Sequence, residues 1–234
     1  MNQKQKTVLE IIMNVSPVKD ETFPFIIHHP FYSSEYVSDG TNAISIFDNE
    51  KIYKEHKEKM IDFFAKEEIE SFLVACNKPY IPFIIKTFED AEAISHREAS
   101  DLFALFYQNI EIISQNPNCS YERMLGWLKN ADKNKLMSEA EINQYNALLT
   151  MSEEIEIFRG VNSLEYEQGF SWTLCESTAK WFANRFSRNG NGFVLKATVK
   201  TKNIIAYLPE AGEQEVLVDY NDLENVIVKE NENE

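Results

Sequence analysis

Cysteine is sparse in this chain: Cys76, Cys119 and Cys175 are the three present among 234 residues. An odd number at wide, irregular spacing excludes a disulfide framework and offers no metal-ligand pattern, so a reducing compartment is expected. Long hydrophobic runs are missing as well. FLVAC at 72–76 and YIPFII at 80–85 fall far short of the roughly 20 apolar residues that a membrane-spanning helix needs. The opening MNQKQKTVLEIIMNV is interrupted by Glu10 and Asn14 and lacks a small-residue cleavage site, so it does not read as a signal peptide. The expectation is a soluble, cytoplasmic protein without membrane association. Basic residues are in deficit, 23 against 38 acidic ones, for a net charge of −15. That balance repels phosphate backbones in general, while leaving room for a local basic groove. Internal repeats and low-complexity linkers are absent. His28 and His29 are adjacent on an extended segment and so point to opposite sides; with no third ligand spaced to join them, no metal site is expected.

What is present divides near residue 150. Before it, apolar residues recur at helical spacing: a helix is predicted over 1–15, then an extended or looped aromatic segment (FPFIIHHPFY) punctuated by Pro17, Pro24 and Pro30. A charged helical stretch over 50–75 carries Ile52, Met60, Phe63 and Phe64. A helix over 96–114 carries Leu102, Leu105, Phe106, Ile110 and Ile113 and is ended by Asn116-Pro117. Another starts near Asn118 or Ser120 with Met124, Leu125 and Leu128. Ser138-Glu139-Ala140-Glu141 matches a capping box opening a helix to about Leu149.

After residue 150 the segments shorten. Strands are predicted at 155–158, 170–174, 193–199, 203–207, 215–219 and 225–228, with one helix at 177–186 and a turn at Asn189-Gly190-Asn191-Gly192. The fold class is α+β: a mainly helical region over 1–150, a mixed or antiparallel β core with an inserted helix over 151–228, and an acidic tail at 229–234.

Three motifs in the β-rich part carry polar groups to strand ends. IEIFRG (155–160) delivers Arg159 at the end of a strand, followed at once by Gly160. GFSWTLCESTAKWFANRF (169–186) places Ser171 and Thr173 on one strand face and Trp172 on the other. PEAGEQEVLVDY (209–220) is a loop that enters a strand with Glu213-Gln214-Glu215, the two carboxylates sharing a face on the same alternation. Each alone is ordinary: a surface arginine, paired hydroxyls, a charged strand edge. Cys175, with no histidine near it in this half, reads as a small buried residue.

Taken in order, the three motifs resemble the signature of the ADP-ribosyltransferase superfamily, in its arginine-serine-glutamate class, over about residues 153–228. The resemblance implies an enzyme that uses NAD⁺ as substrate, without a metal, and transfers ADP-ribose, a pentosyl glycosyltransferase. It implies that Glu215 is the catalytic carboxylate, that Ser171 orients it, and that Arg159 contacts the NAD⁺ phosphates. Gly160 would let the nicotinamide amide approach closely, Thr173 would line the pocket, and Phe193 would stack on the nicotinamide or else sit in the core. Glu213 stands where family members differ by acceptor, and a glutamate there resembles enzymes that modify protein arginine; nucleic acid is the alternative acceptor, as in toxin-like members. Water as acceptor would make the protein an NAD⁺ glycohydrolase, and a non-catalytic interaction protein on the same fold is a further alternative. An inhibitory or antitoxin protein is an expected partner. The aromatic helices of 50–150 are a scaffold, an acceptor platform or a regulatory interface. Ten residues, 161–170, separate Gly160 from Ser171, where many members insert a longer stretch with a helix. The NAD⁺ cleft is therefore more open, or N-terminal helices supply the missing wall.

Overall fold

The computed structural model describes residues 1–23, 26–38, 40–110, 118–185, 192–209 and 212–229. It divides into two compact units, Met1–Cys119 and Ser120–Glu234. No helix among the described residues is long and apolar enough to cross a membrane.

The first unit consists of α1 (Gln3–Met13), α2 (Glu50–Phe64), α3 (Ile69–Ala75), α4 (Ile81–Asp90) and α5 (His96–Phe106), with two short antiparallel pairs, β1 (Val18–Lys19) with β2 (Ile27–His28) and β3 (Tyr36–Ser38) with β4 (Ala43–Ser45). Local chemistry sets the helix starts. Asn2 with Gln5 and Ser95 with Glu98 form reciprocal capping boxes that satisfy backbone N–H groups at the first turns of α1 and α5. The pattern over 50–75 is two helices rather than one, parted after Ala65. The predicted 96–114 helix stops at Phe106 and passes through a single 3₁₀ turn, Tyr107–Asn109; Ile113 and Asn116-Pro117 lie outside the described residues. Phe72, Phe88 and Phe103 are fully buried and form part of this unit's core.

His28 and His29 go separate ways, as alternation requires. His28 Nε2 lies 2.9 Å from Asp20 at the surface. His29 is fully buried, and its Nδ1 accepts the backbone N–H groups of Phe31 at 2.9 Å and Tyr32 at 3.0 Å, which leaves Nε2 to carry the ring proton. Burial pushes its pKa down to about 4. In the unfolded chain the imidazole takes its proton near 6.5, so between pH 6.5 and about 4 unfolding takes up a proton that folding releases. Stability contributed by neutral His29 is thus complete above pH 6.5 and falls by roughly 1.4 kcal/mol per pH unit down to about pH 4. Urea titrations across that window should give a shallower pH slope for His29→Asn, which keeps an acceptor and does not titrate, than for the wild type. Equal slopes would remove His29 as the acid-sensitive group.

The second unit begins with α6 (Tyr121–Asn130), α7 (Lys133–Leu136) and α8 (Glu139–Met151). Six strands follow: β5 (Glu154–Val161), β6 (Ser171–Thr173), β7 (Phe193–Lys200), β8 (Ile204–Leu208), β9 (Glu215–Val218) and β10 (Leu223–Lys229), with α9 (Glu176–Arg185) between β6 and β7. They form one sheet in the order β10-β7-β5-β6-β9-β8, with every neighbouring pair antiparallel. The architecture is α+β.

The division between units lies at residue 119, not near 150. The helices of 121–151 belong with the sheet: the Tyr121 ring stacks on Phe170 at 5.6 Å, Lys129 Nζ meets Asp219 at 2.5 Å, and the Tyr145 hydroxyl donates to the Ile204 carbonyl at 2.9 Å. A change in periodicity marks where helix gives way to strand, but not which helices bury their faces against which sheet. Lys229, assigned by sequence to the tail, pairs with Val194 as the last residue of β10; residues 230–234 lie outside the described residues, as does the 189–191 part of the glycine-rich turn.

Glycine decides how α9 sits. A Cβ on Gly160 of β5 would lie 2.5 Å from the Ala183 backbone nitrogen and nearer still to the Ala179 carbonyl oxygen, while one on Gly192 would meet the Ala183 carbonyl. With both absent, α9 lies almost backbone to backbone on the sheet, and Ala179, Ala183, Phe158 and Val194 close into one buried cluster.

Candidate functional site

Strand pairing brings Ser171, Thr173 and Glu215 together. In the β6/β9 ladder Ser171 stands opposite Leu217, Trp172 opposite Val216 and Thr173 opposite Glu215. Alternation therefore puts Ser171, Thr173 and Glu215 on one face and Trp172 on the other. Trp172 is buried and donates its indole N–H to the Gly169 carbonyl at 2.9 Å, which fixes the strand's orientation. The half-buried Ser171 hydroxyl donates to Glu215 Oε1, a charge-assisted bond that holds the carboxylate in one orientation.

Arg159 reaches the same residue from another direction. β5 and β6 share a single register pair, Phe158 with Thr173, so alternation sends Arg159 out on the face opposite Thr173. The ladder is not continued past that pair, and the Ser171 carbonyl accepts instead from Arg159 Nη1 at 2.7 Å. Ser171 thus binds Arg159 through its carbonyl and Glu215 through its hydroxyl.

The guanidinium has a seat that the motif reading missed. A Cβ on the buried Gly169 would lie 2.8 Å from Arg159 Nη1 and closer still to Cζ and Nη2. The available signal was a glycine two places before Ser171 in a chain with seven glycines in all. Gly169→Ala should therefore displace the arginine and cost about 1.5–3 kcal/mol, the range for a hydrogen bond to a charged group, yet cost little in an Arg159→Ala background. A double-mutant cycle by urea unfolding measures this. The same cost in both backgrounds would show that Gly169 does not act through Arg159.

Four other expectations are altered. Thr173 is buried; its hydroxyl donates to the Glu213 carbonyl at 2.5 Å and accepts from the Cys175 N–H at 3.0 Å. It ties the loop before β9 to the entry of α9 rather than lining a pocket. The space that Gly160 provides is filled by α9, not left for a cofactor. Gln214 has φ +48 and β9 begins at Glu215, so the strand alternation does not extend back to Glu213, which sits half-buried in the preceding turn. Cys175 is not buried away: it is half-exposed just before α9, its Sγ 3.0 Å from Ser177 Oγ, and hydrogen bonds from Ser177 and Thr178 push its thiol down to about 7. Ser177 and Thr178, two and three residues after it, were the sequence signal.

Phe193 opens β7 opposite Val161, on the Arg159 face by alternation, and is 36% exposed, so it is not a core residue. On the far side Tyr121 of α6 packs on Phe170, and its hydroxyl accepts the Tyr220 N–H at 3.0 Å. Burial raises the Tyr121 pKa, with Asp219 adding to the effect and Arg159 opposing it, which puts the arginine within electrostatic reach. A helix before the sheet thus packs against the strand that carries Ser171.

The arrangement offers a carboxylate braced by a hydroxyl and a guanidinium anchored to the same short strand, groups suited to a ligand that carries both phosphate and a developing positive charge. Among the described residues no group of three or more His, Cys, Asp or Glu is placed to hold a metal ion. No known protein family, no curated protein and no solved structure matches this chain.

Proposed function

We propose that the second unit is an ADP-ribosyltransferase of the arginine-serine-glutamate class, which cleaves the nicotinamide-ribose bond of NAD⁺ and transfers ADP-ribose to a macromolecule. The observation that carries this reading is the hydrogen bond from Ser171 to Glu215, with Arg159 bonded to the carbonyl of that same serine. Ser171 links the other two, holding Glu215 by its hydroxyl on one face of the sheet and Arg159 by its carbonyl from the other.

In this reading the reaction resembles glycoside cleavage. As the bond to nicotinamide lengthens, C1′ of the ribose acquires oxocarbenium character. Glu215, fixed by Ser171, meets that charge and accepts a hydrogen bond from the ribose 2′-OH, interactions that strengthen as charge develops. Nicotinamide leaves with the bonding pair. Arg159 serves the pyrophosphate; a guanidinium with five N–H donors can hold a backbone carbonyl and a phosphate at once. Phe193 gives an aromatic surface on the Arg159 face. Gly160 and Thr173 act indirectly, by seating α9 and by anchoring the turn that carries Glu213. Glu213 faces the acceptor.

Incubation with labelled NAD⁺ and cell lysate tests this. Label on protein or nucleic acid supports transfer. Free ADP-ribose alone makes the protein a glycohydrolase, and neither product from folded protein overturns both.

A further inference from the structure

The connection from β5 to β6 crosses Arg159. Within residues 162–168 Ser163 is half-buried and the rest are exposed, and the one 3₁₀ turn there, Leu164–Tyr166, buries no residue. Even its large side chains stay out, with Leu164 40% and Tyr166 36% exposed. The turn is held within itself. Ser163 Oγ accepts from the Glu165 N–H at 3.3 Å, the Ser163 carbonyl from the Tyr166 N–H at 3.1 Å, and the Leu164 carbonyl from the Glu167 N–H at 3.2 Å. The segment therefore keeps its shape without contributing to the core, while Val161, Gly169 and Phe170 at its two ends are buried.

Two contacts bring the segment down on the site. The Tyr166 carbonyl accepts from Arg159 Nη2 at 3.5 Å. The Glu167 carboxylate faces the Tyr220 hydroxyl, where it joins burial in raising the Tyr220 pKa. Beside the 2.7 Å bond from Arg159 Nη1 to the Ser171 carbonyl, the bond to Tyr166 is loose, because N–H···O bonds cluster at about 2.7–3.2 Å. The guanidinium is thus seated firmly against Gly169 and Ser171 and capped weakly by Tyr166. A phosphate oxygen would meet the same N–H at about 2.7–2.9 Å with a full charge behind it, and so outcompetes a neutral carbonyl at the edge of its range. Glu165 and Glu167 give the segment two negative charges and no positive one, so an anion bound at Arg159 also repels it.

We propose that residues 162–168 form an autoinhibitory strap over Arg159: the Tyr166 carbonyl holds the guanidinium until a phosphate displaces it, and the strap then lifts between Val161 and Gly169. The identity of the ligand, a dinucleotide whose pyrophosphate Arg159 takes, rests on the transferase reading; the contact itself does not. Anion binding and strap opening are one equilibrium, so the apparent affinity is reduced by the fraction of closed strap, and any change that loosens the strap tightens the ligand.

Inorganic pyrophosphate is the probe, titrated calorimetrically into the full chain. Arg159→Ala should abolish its binding. Tyr220→Phe removes the hydroxyl that Glu167 faces and leaves every charge in place; it should bind pyrophosphate about threefold more tightly, the effect of one modest hydrogen bond lost from the closed state. Repulsion by Glu167 without a strap would leave Tyr220→Phe at wild-type affinity, and that result overturns the proposal. Hydrogen exchange gives a second readout. With pyrophosphate bound, the amides of Glu165, Tyr166 and Glu167 should exchange faster, whereas a ligand that merely covers the segment slows them. Slower or unchanged exchange overturns the strap and leaves the transferase reading standing. Binding that survives Arg159→Ala, or no binding to either wild type or Tyr220→Phe, removes the anion seat and the strap with it. NAD⁺ cleavage, measured separately, decides the reading: a strap that opens in a protein without cleavage overturns the transferase and keeps the strap.

Discussion

Glu215→Gln is expected to lower nicotinamide release from NAD⁺ by about 10²–10³-fold, the loss seen when a preorganised electrostatic group is removed from a transition state. The substitution is nearly isosteric. The amide oxygen can still accept from Ser171, and the backbone pairing of Glu215 with Thr173 and Leu208 does not involve the side chain. What disappears is the negative charge that would face C1′. Folding is therefore expected to stay within about 0.5 kcal/mol of wild type, as for substitutions that leave packing intact, and release of labelled nicotinamide reads the chemistry directly. Activity within a few-fold of wild type, in protein with an unchanged melting curve, would remove Glu215 from the reaction.

Gly160→Ala is expected to have the largest effect on stability. Alanine is the better residue in a strand by roughly 0.5–1 kcal/mol on backbone grounds, so propensity alone predicts a gain. The structure predicts a loss of about 3 kcal/mol or more, at the upper end for overpacking, because the new methyl would sit on the hydrogen bond between Ala179 and Ala183 within α9. These are backbone atoms that cannot rotate away, so the helix itself must shift. Thermal melts should show a drop of roughly 10 °C for a unit of this size. The outcome separates two accounts of this glycine: approach to a cofactor would leave the melt unchanged and weaken NAD⁺ binding. An unchanged or higher melting temperature would sink the helix-packing account.

The strands and their faces were legible in the sequence because alternation is a local property. Ser171 and Thr173 are two apart on a strand, and their shared face follows from that alone; pairing with Glu215 then needed only the order of the motifs. Where a conclusion depended on what lies across from a residue, local pattern was insufficient. Gly160 and Gly169 look alike in sequence, yet one meets a helix backbone and the other a guanidinium. Gln214 adopts a left-handed conformation that local sequence would assign to glycine or asparagine, and so Glu213 was read onto a strand that starts two residues later. The helices of 121–151 were assigned to the wrong unit because the contacts of Tyr121 and Tyr145 with the sheet are formed between residues far apart in sequence.

The double attachment of Ser171 makes the two halves of the site unequally tolerant of change. Arg159 is held by a carbonyl, which any amino acid at position 171 would supply, whereas Glu215 is held by a hydroxyl, which few would. Drift at 171 would therefore release the carboxylate first and leave the arginine seated, which on the transferase reading gives a protein that keeps its anion contact after losing its chemistry. The position that guards the arginine is Gly169, where a side chain would displace the guanidinium. On that reading, loss of activity and loss of ligand recognition would be written at different residues among descendants of this chain.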